Sequence, residues 1–563
     1  MSERTEGGRS MATWLIPLGL FVLAAVVRLV VAAQIPFPTT EPSAYYVNVA
    51  QNLVAGNGLV SDSVWSFATE PLVTPKPAFE LWLPMSSFIS ALGMSVLGST
   101  FWAAQVGGAL LGALIAPLAW AIGREASHAQ SLDARRAAAV AISSGLLVAV
   151  LAPFVLGSIV PDSYTPFIIF MLAAALLIPR VLGIRDGRAA TPPRPASILA
   201  ALTLGAILGL AYLARQEVIW LGLTVLLMAW WTSRDRSQGS RLREMTTRLW
   251  PVMAGGLVVV TPWLIRNARE FGSPFPGQAV ENAFLRRNED IFSFAQRPNL
   301  ESYLDQGLAT VLGNPVAAAW DGLLNVIAIA AFPLGLAGLA AVIGMRHAPA
   351  LRRPTALLAL LIGGALTFAT TVLFFPVATR WGTFLHASGP LLVALVVTAA
   401  LGGDALLARI STARRWDRPN VILAPLALLS VALLLAFLQV RIFAQQSVDT
   451  EARYGRLAAS IRAVAEADGG TVPATIITDR PVWLASALDG AAVALPDEEV
   501  GSILRLGALF DTRWVVVIDE RGRYPQSLLS GPGAACLARD PVALSGGAAP
   551  SWLFVLEQDC EPA

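Results

Sequence analysis

Runs of about 20 apolar residues recur along the first 440 positions, near 12–35, 100–122, 137–154, 163–180, 196–213, 216–232, 249–265, 320–344, 354–376, 382–402 and 420–442. A run of that length, wound as a helix, matches the roughly 30 Å hydrocarbon core of a bilayer. Inside lipid every backbone N–H and C=O needs an internal partner, so a chain built this way folds into helices there. Composition agrees: 55% of the residues are hydrophobic and 14% charged, with a mean hydropathy of +0.62, whereas soluble domains are roughly a quarter charged. The first run is too long for a signal peptide and lacks a convincing small-residue cleavage site, so it reads as an uncleaved span. The net charge of +2 gives no sign of a nucleic-acid partner.

A further apolar run, "PAFELWLPMSSFISALGMSVLG" from Pro77, decides the topology. If it does not cross, the N-terminus and the connecting loops on one side carry 21 Lys and Arg and the loops on the other 8. If it crosses, the basic side falls outside, against the positive-inside rule. The expectation is a multi-pass protein of the cytoplasmic membrane with about 11 transmembrane helices and a cytoplasmic N-terminus. The Pro77 run then lies in the outer interface. A first external loop (36–99), a large external loop (266–319) and the C-terminal region fall outside, together with the polar residues that have chemical potential.

The first external loop contains "TEPSAYYVNVAQNLVAGNGLV" from Thr40. Tyr46, Val49, Ala50 and Leu53 recur at helical spacing, Pro42 suits a first turn and Gly56–Gly58 a stop, which predicts a short amphipathic helix on the membrane surface. Glu41 heads it, where the positive helix end favours a carboxylate whether or not the residue does chemistry.

That loop, with "YY", "NLVAGNGL" and "TPKPAFELWLPMSSFISALG", resembles the first external loop of GT-C superfamily glycosyltransferases, particularly bacterial relatives of protein O-mannosyltransferases and lipid A aminoarabinose transferases. "GLAYLARQE" from Gly209, "TPWLIRNAREFGSPFP" from Thr261 and "ATRWGTFLHASGPLL" from Ala378 extend the resemblance over most of the membrane part. It implies an inverting transfer of a sugar from a polyprenyl-phosphate donor to an acceptor glycan, lipid or protein outside the cytoplasm, with the first-loop acid catalytic. Many relatives carry adjacent acids at this point, whereas Glu41 is followed by Pro42.

Such a transfer needs a carboxylate to accept the acceptor's proton. Cations must face the leaving phosphate. Glu41 is the expected base, with Glu70 and Asp162 as competing outer carboxylates; Asp162 equally suits a helix cap beside Ser163. Expected substrate contacts are Tyr45, Tyr46, Lys76, Asp162, Arg215, Glu217, Arg266, Arg380 and His386. Lys76 is the only lysine in the chain, a compact ammonium held between two prolines. Glu217 two residues from Arg215 also reads as half of an internal ion pair, and Arg28, inside the first span, as snorkelling or pairing with a neighbouring helix. No His/Cys/Asp/Glu group has metal-ligand spacing, which leaves open only a loosely held Mg²⁺ or Mn²⁺ on one carboxylate.

After residue 445 the composition changes. "TVPATIITD", "AAVALP", "WVVVIDE" and "SWLFVLEQ" read as strands among short helices, giving a small α/β domain over 446–563 beside a membrane domain over 1–445. Cys536 and Cys560, the only cysteines, permit a disulfide in an oxidising compartment. The rival function is a polytopic transporter or lipid flippase. It would be expected to show internal repeats with polar residues at the midplane, and neither is evident.

Overall fold

A computed structural model describes residues 4–185, 188–189, 198–234, 237–416, 420–518, 532–546, 551–557 and 560. Among these, eight helices are long and apolar enough to cross a membrane, and a ninth span results if the bent pair Ala134–Val150 and Ala152–Ile159 is joined across its 51° break. All eleven apolar runs are helical. Those near 196–213 and 216–232 form 15-residue helices, Ile198–Tyr212 and Val218–Thr232, each about 22 Å long at 1.5 Å per residue. The run from Pro77 yields α3 (Met85–Leu97), 13 residues, about 20 Å and too short to cross unaided.

The break in the bent pair explains Arg28, which lies on α1 (Arg4–Ala32). Ala149 would offer its carbonyl to the N–H of residue 153, which is a proline and has none. Arg28 Nη1 donates to Ala149 O at 3.1 Å, Nη2 to Phe154 O at 3.2 Å and Nε to Ser158 Oγ at 3.1 Å. The intramembrane arginine thus closes a gap in the backbone bonding of a neighbouring span. Elsewhere, small residues bring helices together. A Cβ on Gly205 would lie 1.9 Å from Val252 O, and one on Gly255 2.2 Å from Leu202 O, so helices Ile198–Tyr212 and Gln238–Phe271 cross in backbone contact.

α2 (Glu41–Ala55) starts at the expected place. Thr40 Oγ1 accepts from Ser43 N, Pro42 occupies the first turn, and Gly56 ends the helix at φ +87°, a conformation that favours glycine. It does not rest on the surface, however. Asn48 and Asn52 are buried and both bind the Asp62 carboxylate, while the apolar positions pack on α3 and helix Phe101–Ala113. The polar face expected to meet water is instead spent fixing the rest of its own loop.

The C-terminal region carries a six-stranded sheet in the order Ser63–Val64, Ala491–Ala494, Thr475–Thr478, Trp514–Val517, Ser551–Val555, Val542–Leu544. The four expected strands are present; the ends of two of them, at 519–520 and 558, lie outside the described residues. The first four strands in that order run parallel, and the last two pair antiparallel. Ser63–Val64, a two-residue strand from the first external loop, was not expected there; it pairs with Ala492 and Val493. The proposed boundary at 445/446 falls within helix Leu423–Ala467, 45 residues long, which runs from the last apolar run into the α/β region. Cys536 and Cys560 are disulfide-bonded, with Cα atoms 5.4 Å apart.

Candidate active site

Between the first loop (36–99), the helix ends and the C-terminal sheet lies a cavity of about 740 Å³. The first loop supplies Thr39, Thr40, Glu41, Tyr46, Trp65, Glu80 and Trp82 to its wall. Ser163, Arg215, Gln216 and Glu217 come from connections between helices, Gln278 and Asn282 from the large external loop, Trp381 and His386 from the segment before the penultimate span, and Arg480 and Trp483 from the C-terminal region. Its apolar lip includes Ile219 and Phe374, each 61% exposed.

Glu41 is nearly covered, its side chain 7% exposed. Its Oε2 accepts from Trp65 Nε1 at 3.5 Å, and Oε1 lies 4.0 Å from Arg480 Nη1. Tyr46 lies one helical turn further on, with its ring in the wall. Its neighbour Tyr45 faces away: its Oη accepts from Phe79 N at 2.9 Å, and its ring meets Trp82 at 4.7 Å. Burial pushes both phenols above their ordinary range, so they act as neutral groups.

A second polar group is a chain of contacts. Arg215 holds Glu217 through two bonds, Nη2 to Oε1 at 2.6 Å and Nε to Oε2 at 3.2 Å, and its Nη1 donates to Ser163 Oγ at 2.9 Å. Ser163 Oγ donates to Asp162 Oδ1 at 2.8 Å, and Asp162 Oδ2 lies 2.8 Å from His386 Nδ1. Burial raises the Asp162 carboxyl, but His386, Ser163 and Arg215 together outweigh it and hold the group below the usual carboxylate range. For Arg215 burial works against the charge, and Glu217 and Asp162 more than restore it. Arg215, Glu217 and His386 therefore reach the cavity as an ordered, mutually bonded set, with Asp162 behind them. Asp162 is not a helix cap. The following helix, Tyr164–Val181, has Ser163 at its N-cap without a side-chain bond.

The remaining expected contacts stand apart from the wall. Lys76 Nζ donates to Glu80 Oε1 and to Ser66 O, both at 2.8 Å, and lines a small separate pocket behind Trp82. Its ammonium serves Glu80, which does face the cavity. Burial lowers Lys76 and raises Glu80 despite their mutual attraction. Arg266 donates to Ala78 O at 2.8 Å and Leu59 O at 3.3 Å, and stacks near Trp263 and Phe271; it ties down the first loop. Arg380 pairs with Asp321 at 2.7 Å and is half exposed. Glu70, the rival carboxylate, accepts from Leu72 N at 2.9 Å within its own turn. The sequence pointed to none of the wall residues outside its named contacts, among them Trp65, Glu80, Gln278, Asn282, Arg480 and Trp483. Only Arg480 left a signal, following the strand in "TIITDRP" where parallel sheets place ligand-binding loops.

Among the described residues no three His, Cys, Asp or Glu side chains converge on a point.

The same fold is found in solved structures of an oligosaccharyltransferase and of ArnT. Among solved structures with it, the oligosaccharyltransferase of Archaeoglobus fulgidus, in complex with Zn and sulfate, aligns at a TM-score of 0.55 and 13% identity over 88% of this chain and 67% of that one. ArnT from Cupriavidus metallidurans bound to undecaprenyl phosphate aligns at 0.52 and 13% identity over 95% and 97%, and its apo form at 0.50 and 16% over 97% and 98%. At these identities the likeness fixes the fold. No family model and no curated protein matches the sequence.

Proposed function

We propose that the chain is a glycosyltransferase of the cytoplasmic membrane that moves a sugar, with inversion, from a polyprenyl-phosphate donor to an acceptor on the outer side. The observation that carries this reading is Glu41, a carboxylate on the wall of a 740 Å³ cavity that also holds Arg215, His386 and Arg480 and whose lip is apolar. The lip side chains Ile219, Phe374 and Leu385 offer a path for an isoprenoid tail from the lipid. Arg215, preset by Glu217 and Ser163, and His386, preset by Asp162, stand where a phosphate would benefit from fixed donors. ArnT, which shares the fold, was solved with undecaprenyl phosphate, and that supports a lipid-linked donor here.

The step is then a displacement at the anomeric carbon. The acceptor oxygen forms the new C–O bond, its proton passes to a Glu41 carboxylate oxygen, and the old C–O bond breaks with its electron pair going to the phosphate. A phosphate is a stable leaving anion, so one carboxylate suffices where glycosidases need two. The test is Glu41→Gln, assayed with polyprenyl-phosphate sugars. Loss of general-base help is expected to slow turnover by about two to four orders of magnitude, with stability lowered by up to about 2 kcal/mol, the size of a partly buried helix-end charge. Near-normal turnover would remove Glu41 from the mechanism.

A further inference from the structure

The C-terminal region does more than cap the molecule. The six-stranded sheet has its central strand, Thr475–Thr478, flanked by Ala491–Ala494 on one side and Trp514–Val517 on the other. The chain leaves the central strand toward one neighbour and later reaches the other, so the strand's carboxyl end is a switch point where parallel sheets open a ligand-binding crevice. Arg480 stands two residues beyond that end and points its guanidinium at Glu41, 4.0 Å away.

Several contacts fix this approach. Trp483 Nε1 donates to Pro38 O at 3.0 Å, three residues before Glu41. Ser447 Oγ accepts from Phe37 N at 3.0 Å and donates to Phe37 O at 2.7 Å. The ring of Tyr454 lies between those of Phe37 and Trp483, with centroids at 6.4 and 5.4 Å. Strand Ser63–Val64, which shares a loop with Glu41 and precedes its partner Trp65, is hydrogen-bonded into the same sheet. Both ends of the segment that presents Glu41 are therefore anchored to the C-terminal region.

We propose that Arg480 is a positioning residue of the transferase site: its charge holds the Glu41 carboxylate toward the cavity, making the C-terminal α/β region part of the reaction centre. The inference rests on the glycosyltransferase reading above. The 4.0 Å separation is a charge contact and not a hydrogen bond, and a contact of that kind orients the carboxylate without taking its proton-accepting role. A point charge is enough at that distance, and lysine should replace arginine here although it would not at a bidentate site.

The experiment compares full-length wild type, Arg480→Gln, Arg480→Lys, Glu41→Gln and the Glu41→Gln/Arg480→Gln double variant in sugar release from a polyprenyl-phosphate sugar. Arg480→Gln is expected to lower kcat about tenfold or more with donor KM changed less than twofold, and Arg480→Lys to recover most of it. Because Arg480 acts through Glu41, the double variant should be no slower than Glu41→Gln alone. A misfolded Arg480→Gln would show itself in thermal unfolding, and Arg480→Lys and the double variant then carry the decision. Wild-type kinetics in Arg480→Gln, or losses that multiply in the double variant, overturn the inference alone. Wild-type protein that releases no sugar from any donor overturns the transferase reading, and this inference with it.

Discussion

At the scale of single residues, charge in this molecule is placed in pairs before it is placed at substrate. Lys76 and Glu80 are 4% and 8% exposed and 2.8 Å apart. Desolvating two charges costs more than their attraction returns, so an intact pair adds little, whereas breaking it strands a buried charge. Lys76→Gln should therefore destabilise the protein by about 3–5 kcal/mol, read as a fall in melting temperature in detergent, while Lys76→Met/Glu80→Met should melt close to wild type. Equal melting of Lys76→Gln and wild type would show that the ammonium is not committed to Glu80. Asp162 gives a pH signature. Its carboxyl is depressed in the fold, so its stabilisation is present above the ordinary carboxylate range and is lost as pH falls through the folded value. Asp162→Asn should thus cost about 2 kcal/mol at neutral pH, the size of a charged hydrogen bond, and the gap to wild type should close below about pH 4. A gap independent of pH would mean that the asparagine disrupts packing instead. The sequence named Glu41, Tyr46, Arg215, Glu217 and His386, and all five reach the cavity wall, because each stands beside an apolar run whose end fixes its depth. It could not show that Lys76 and Arg266 turn inward to hold the loop, since that depends on which carbonyls and acids the folded loop leaves beside them.

At the scale of elements, hydrophobic length was a reliable guide to helices and a poor one to what they touch. α2 was legible from its spacing, Pro42 and Gly56, yet its asparagines face Asp62 and not water, because local periodicity carries no information about a loop folding back 14 residues later. The strand Ser63–Val64 is invisible for the same reason: two residues cannot display a period, and its partner lies more than 400 residues away. Glycines give the opposite case, where a residue with no side chain decides packing. Gly205 and Gly255 let helices Ile198–Tyr212 and Gln238–Phe271 meet backbone to backbone, with no room for a Cβ. Gly205→Leu should force the pair apart and lower the melting temperature by several degrees, an overpacking cost of about 1–3 kcal/mol, while Gly222→Leu, at a position with open space around it, should melt near wild type. Equal behaviour of the two variants would deny the close crossing.

At the scale of the whole molecule, the cavity's chemistry depends on which side of the membrane it faces, and the distribution of basic residues bears on this. If α3, too short to cross, stays on one side, the N-terminus and the loops between spans carry 21 Lys and Arg on one side and 8 on the other, and cytoplasmic loops are the ones enriched in them. Glu41, the loop that carries it and the C-terminal sheet share one cavity and so one side; the positive-inside rule predicts the opposite, cytoplasmic side for the segment near residue 240. The two native cysteines are joined to each other, so an introduced thiol is read against a silent background. Ser240 and Gln296 are both exposed. In intact cells a membrane-impermeant maleimide should label Gln296→Cys and spare Ser240→Cys, and permeabilising the membrane should make Ser240→Cys reactive. The converse pattern would place Glu41 in the cytoplasm, where a donor displayed on the outer leaflet could not reach it.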